Sequence, residues 1–303
     1  MLRSVAGTER EVGLNYRIVC TIFLLAFLPH PNLIQAQKEP YFPDQTHPEF
    51  EQIEGHKAFF LISDHAPPSH RPWVWFAPVL LSVDDQPPNK DIQWTFSKLL
   101  EHGISIAGID VGESYGSPRG SKLYSEFYKT VVAGRRLSKK PCLLAQSRGG
   151  LMLYNWAIAN PSSVACVAGI YPVVNIKTWP LNLKESQQKK WLLMALGSRE
   201  FRSAANEYEL SVDEFLKRLP DFNPIEHLQP LAAEHVPIFS IHGNEDATVP
   251  YAANSEALTN VYRSLGGEAK LVPVEKKGHV RYDTDFFQSV PLVEWLVANI
   301  ETK

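Results

Sequence analysis

Three short stretches of the chain carry residue types that could do chemistry together. The first is Leu144-Ala145-Gln146-Ser147-Arg148-Gly149-Gly150, which joins an apolar run to a helical pattern. A sharp strand-to-helix turn lifts a serine hydroxyl above a sheet and sets it at a helix N-terminus. There the dipole and the following N–H can stabilise an oxyanion. Such a turn crowds the backbone, so small residues are needed two positions to either side of the serine. Here those residues are Ala145 and Gly149. A serine hydroxyl is a weak nucleophile unless a base takes its proton and an acid orients that base. The second stretch, His242-Gly243-Asn244-Glu245-Asp246, follows an apolar run and offers Asp246 as the acid, with Glu245 as the alternative. The third, Glu275-Lys276-Lys277-Gly278-His279, follows the last apolar run and offers His279 as the base. The order of nucleophile Ser147, acid Asp246 and base His279, each after a successive apolar run, predicts acyl transfer through a covalent intermediate. The competing readings are a turn-forming aspartate and a surface-loop histidine.

A literal G-x-S-x-G also occurs, at Gly112-Glu113-Ser114-Tyr115-Gly116. Pro118 and Gly120 stand where its following helix should begin, so this stretch is expected to be a glycine-rich loop bordering the pocket. Glu113 and Ser114 are then candidate pocket-lining residues. The first oxyanion donor expected is the backbone N–H of Arg148. The second should come from the loop after Trp73–Ala77, where Pro78 has no N–H and Ala77 or Val79 remains. The Arg148 side chain is expected to pair with a carboxylate, Glu113 being one candidate; the alternative is recognition of an anionic substrate.

The elements that must position these loops alternate along the chain. Strand patterns cover Lys57–Ser63, Trp73–Ala77, Ile104–Val111, Pro141–Gln146, Val164–Tyr171, Val236–His242 and Ala269–Val274. Helical patterns cover Asp91–His102, Lys122–Leu137, Gly150–Ala159, Ala252–Leu265 and Phe286–Ile300. Apolar strands alternating with helices predict an α/β fold with a mostly parallel central sheet covered on both faces. Residues 179–231 break the rhythm, being polar and helical in pattern without a strand. They read as a helical lid inserted after the sixth strand, over the carboxyl ends of the strands.

Composition excludes several other classes. The chain has 303 residues, 44% hydrophobic and 21% charged, with a formal net charge of −3, which excludes neither a core nor solubility but argues against disorder. That charge gives no basic footprint for nucleic acid. No apolar stretch reaches the roughly 20 residues of a membrane-spanning helix. Ile18–Leu28 is an uncharged apolar run preceded by Arg17 and followed by Pro29 and, further on, Ala36. This pattern predicts a signal peptide over residues 1–36 and a single domain over 37–303, secreted or periplasmic and without stable membrane insertion. Cys142 and Cys166 both sit in apolar runs and are expected as buried thiols, a single bridge being the alternative. Metal-ligand spacing is missing, so neither a metal nor another cofactor is expected.

The span from about Trp73 to Trp295 resembles the α/β-hydrolase superfamily, and within its serine hydrolase branch an exported bacterial group. The resemblance rests on PWVW, GIDVGESYGSP, SRGGLMLYNWA, IYPV, HGNEDATVP and GH, beginning at Pro72, Gly108, Ser147, Ile170, His242 and Gly278. It implies the α/β-hydrolase fold, an acyl-enzyme mechanism and catalytic roles for Ser147, Asp246 and His279. The chain departs from the family pattern at Ala145, where glycine is common, and at Pro78. The expected activity is a serine esterase acting on a small-molecule or carbohydrate ester, an acyl or methyl ester on carbohydrate being one candidate. A peptidase or amidase using the same triad is the alternative within enzymes, and a non-catalytic binding protein of the same fold is the alternative outside them.

Overall fold

The computed structural model describes residues 48–66, 71–80, 92–180 and 199–300. The expected signal segment 1–36 and residues 181–198 of the expected lid lie outside the described residues. Eight strands form one sheet: β1 Glu49–Ile53, β2 His56–Leu61, β3 Trp73–Ala77, β4 Ser105–Ile109, β5 Cys142–Gln146, β6 Cys166–Ile170, β7 Ile238–Gly243 and β8 Ala269–Val274. Their spatial order is β1-β2-β4-β3-β5-β6-β7-β8. The β1–β2 and β2–β4 pairs are antiparallel and every other pair is parallel. The first strand had no sequence signal of its own. At the sheet edge Glu49 and Gln52 are exposed, Phe50 and Glu51 half-buried and only Ile53 buried, so the strand lacks a clean two-residue period.

Five-residue strands buried on both faces explain the continuous apolar runs. In β3, Trp73, Trp75 and Ala77 point into one core, and Val74 and Phe76 into the other. The Trp75 ring packs against Trp156 at 4.6 Å and Tyr124 at 5.1 Å, fixing the helices Pro118–Gly134 (α2) and Gly149–Ala159 (α3) to the first face. The helices Gln93–Glu101 (α1) and Val290–Ile300 cover the second face.

Cys142 and Cys166 are joined in a disulfide rather than remaining thiols. Sequence showed two apolar runs but not their register. The parallel pairing of β5 with β6 sets these two residues directly opposite, with Cα atoms 4.5 Å apart, within bridging range.

The insertion after β6 divides in two. Phe201, Ala204, Ala205 and Phe215, from the helices Arg199–Glu207 and Val212–Lys217, cluster with Tyr115, Val173 and Val249. Those three residues follow the carboxyl ends of β4, β6 and β7. Beyond Pro224 the chain turns back. Leu228, Leu231 and Ala232 join the core on the sheet's first face.

Candidate active site

The turn from β5 into α3 follows from crowding at Ser147. This residue has φ +50°, a left-handed conformation that costs a non-glycine residue about 1–3 kcal/mol. The fold holds it there by hydrogen bonds: the Ser147 N–H donates to Ile170 O at 3.0 Å, and its carbonyl accepts from Gly150 at 3.0 Å and Val173 at 2.8 Å. A Cβ at position 149 would stand 2.2 Å from the Ala77 carbonyl oxygen, and one at position 150 would stand 2.3 Å from that of Val173. Both positions therefore require glycine. Ala145 fits because its neighbours in register are Ala77 and Gly169, small on both sides.

The other two loops are tied to each other. Asn244 N–H donates to Val274 O at 3.1 Å and Glu245 N–H to Lys277 O at 2.9 Å. Lys276 N–H donates to the Asn244 side-chain oxygen at 2.8 Å. This lacing brings His279 onto Asp246, whose side chain is fully buried, while Glu245 points to solvent. His279 Nδ1 lies 2.7 Å from Asp246 Oδ2. Its Nε2 lies 3.0 Å from Ser147 Oγ. The carboxylate accepts at Nδ1, so Nδ1 carries the proton and Nε2 is free to accept the serine's. Asp246 Oδ1 accepts from the N–H groups of Thr248 and Val249, both at 2.8 Å. Burial opposes ionisation of this carboxyl. The hydrogen bonds from His242, His279 and the Val249 N–H outweigh it and hold Asp246 well below the usual carboxylate range.

On the other side of Ser147, the Arg148 guanidinium pairs with Glu113, the carboxylate partner that the sequence offered. It also stands over the Trp179 ring, 5.4 Å from its centroid, and Tyr115 stacks on that ring at 5.7 Å. Burial pushes the Glu113 carboxyl above its ordinary value, with Arg148 working in the opposite direction. Ser114 is 1% exposed and sits against Gly120, and its hydroxyl has no hydrogen-bond partner among the described residues. Pro118 does not prevent a helix here, contrary to the sequence expectation. The helix starts at Pro118, with Ser117 capping it by accepting from Gly120 N–H at 3.1 Å. Proline at the first helical position gives up no hydrogen bond, because that N–H has no partner inside the helix.

Ala77 is in ladder register with Ala145. Val79 lies past the strand, and neither its N–H nor that of Arg148 donates to an acceptor among the described residues. Two residues at the site escaped the sequence reading. The Tyr171 ring packs on the His279 ring at 4.3 Å, and His242 reaches Asp246. Both stood inside stretches already singled out, IYPV and HGNEDATVP, but nothing in one sequence gives the direction of a side chain. Among the described residues no three His, Cys, Asp or Glu side chains group as a metal site would need.

No family model matches this sequence, and no curated protein matches it. Solved structures do. A puromycin-hydrolyzing peptidase from Mycobacterium tuberculosis superposes with a TM-score of 0.64 at 13% identity, over 87% of this chain and 40% of that one. Dipeptidyl peptidase 4 from Porphyromonas gingivalis gives 0.63 at 12% identity, over 84% of this chain and 36% of that one. The chain thus spans about two fifths of these peptidases. MPT51 from M. tuberculosis gives 0.61 at 15% identity, over 84% of this chain and 99% of that one. Sheet order, the turn at Ser147 and these superpositions together show that the chain has the α/β-hydrolase fold.

Proposed function

We propose that this protein is a serine hydrolase that cleaves carboxylic esters through an acyl-enzyme, with Ser147 as nucleophile, His279 as base and Asp246 as the orienting acid. The observation that carries this reading is the unbroken chain from Ser147 Oγ to His279 Nε2 at 3.0 Å and from His279 Nδ1 to Asp246 at 2.7 Å. In the first half-reaction His279 takes the Ser147 proton as Oγ attacks the ester carbonyl. The oxyanion forms against the N–H groups of Arg148 and Val79, with Ala77 the alternative second donor. His279 then protonates the leaving alcohol. Water enters and attacks the acyl carbonyl as His279 takes its proton; His279 returns that proton to Ser147 Oγ as the acyl–oxygen bond breaks, and the released acid ionises in solvent. The substrate class is a small-molecule or carbohydrate ester. The protein acts outside the cytoplasm: the apolar run Ile18–Leu28 reads as an export signal, and the Cys142–Cys166 bridge suits an oxidising compartment.

The superpositions on two peptidases favour a second reading, hydrolysis of a peptide bond by the same residues. Parallel turnover of p-nitrophenyl acetate, acetylated and methyl-esterified glycans, and aminoacyl anilides separates the two. Ester turnover that vanishes in Ser147→Ala, with anilides uncleaved, is expected. Cleavage of anilides alone would overturn the esterase reading.

A further inference from the structure

Asp246 receives one donor more than a base-orienting acid requires. His242, at the end of β7, is fully buried, and its Nε2 lies 3.3 Å from Asp246 Oδ2, the oxygen that holds His279. The same Nε2 lies 2.9 Å from Val249 O. A carbonyl and a carboxylate oxygen only accept, so His242 Nε2 carries a hydrogen and shares it between them. On the far side of the ring, Nδ1 is 2.7 Å from Ser255 Oγ, in the first turn of the helix Ser255–Ser264. The Tyr251 ring meets the imidazole edge-on at 5.6 Å. Val249 and Ser255 would satisfy a purely structural histidine; the third approach, to Oδ2, ties it to the reacting groups.

We infer that His242 is a positioning residue for the hydrolysis. Its Nε2–H, fixed from behind by Ser255, holds Asp246 Oδ2 on the line to His279 Nδ1. Two backbone N–H groups already anchor Oδ1; without His242, only His279 would hold Oδ2, and His279 takes up and gives back a proton at Nε2 in each half-reaction. A donor that does not take part in proton transfer keeps that oxygen in place while His279 cycles. This inference rests on the proposed roles of Ser147, His279 and Asp246.

The test is steady-state hydrolysis of p-nitrophenyl acetate by the full chain and by His242→Leu, His242→Gln, Ser255→Ala, Asp246→Asn and the double variant His242→Leu/Asp246→Asn. Ser147→Ala serves as the blank, and thermal melts check that each is folded. His242→Leu is expected to lower kcat about 10- to 100-fold with KM within about twofold, the scale of one hydrogen bond to a charged group. His242→Gln, which carries an amide N–H at a similar reach, recovers part of the loss. In the Asp246→Asn background the same change costs less than about threefold, because His242 acts through that carboxylate. A folded His242→Leu with unchanged kcat, or losses that multiply in the double variant, would overturn the inference. If His242→Leu does not fold, Ser255→Ala decides: a loss of several-fold in kcat supports the inference and an unchanged kcat ends it. Full turnover by Ser147→Ala would instead remove the catalytic reading on which this one stands.

Discussion

The contact between Gly149 and the end of β3 lends itself to a quantitative test. A Cβ added at Gly149 falls 2.2 Å from Ala77 O, 2.4 Å from Ala77 C and 2.6 Å from Pro78 N. Ordinary contact begins near 3.4 Å, so the first of these is about 1.2 Å too short. All three atoms are backbone, so no side chain can rotate away. Overpacking of this kind costs about 1–3 kcal/mol, and rigid backbone places Gly149→Ala at the upper end. The gain in helix propensity returns at most about 1 kcal/mol. The net loss of about 2 kcal/mol lowers Tm by roughly 4–8 °C in a domain of this size. Relief by moving the Ala77–Val79 turn also displaces the proposed second oxyanion donor, lowering kcat by on the order of 10²-fold. Gly134→Ala is the control, since nothing lies within 4 Å of its added Cβ. It should raise stability by about 0.4–1 kcal/mol. Differential scanning calorimetry and p-nitrophenyl acetate turnover read both quantities. A Gly149→Ala protein with unaltered Tm and kcat would refute the packing of β3 on the elbow and the oxyanion argument built on it.

Other consequences are open to direct measurement. Breaking the Cys142–Cys166 bridge, whose partners are 24 residues apart, should cost about 3 kcal/mol in urea denaturation of the Cys142→Ala/Cys166→Ala protein; two free thiols by mass spectrometry in the wild type would contradict the bridge. Asp246→Asn should lower kcat by on the order of 10³- to 10⁴-fold, because the amide favours the wrong His279 tautomer; a loss under tenfold would argue against its role. Asp246 is held below its ordinary pKa of 3.8 in the folded state, so its share of stability is complete above about pH 4 and declines as the pH falls below that. Between pH 6 and pH 3 the wild type should therefore lose more unfolding free energy than Asp246→Asn, and equal losses would contradict the shift.

The sequence made the alternation of strands and helices legible because the central strands are buried on both faces, leaving apolar runs such as Trp73–Ala77 with sharp ends. The edge strand Glu49–Ile53 has no such contrast and was missed. The order of Ser147, Asp246 and His279 was visible because each stands just past the end of a strand pattern. Register was not. It depends on which strands meet in space, and for that reason the sequence leaves buried thiols and a Cys142–Cys166 bridge both open where the structure shows the bridge. The start of α2 at Pro118 is hidden in the sequence for a local reason: proline, a breaker inside a helix, is favoured in its first turn. His242 and Tyr171 needed side-chain directions that only the fold supplies.

The most direct test of the account is labelling of the purified protein with a fluorophosphonate probe, alongside Ser147→Ala and Ser114→Ala, with mass spectrometry of the labelled peptide. The account predicts a phosphonylated Ser147 in the wild type and in Ser114→Ala, and no label in Ser147→Ala. Label carried by Ser114, or none on any serine of the folded wild type, would contradict it.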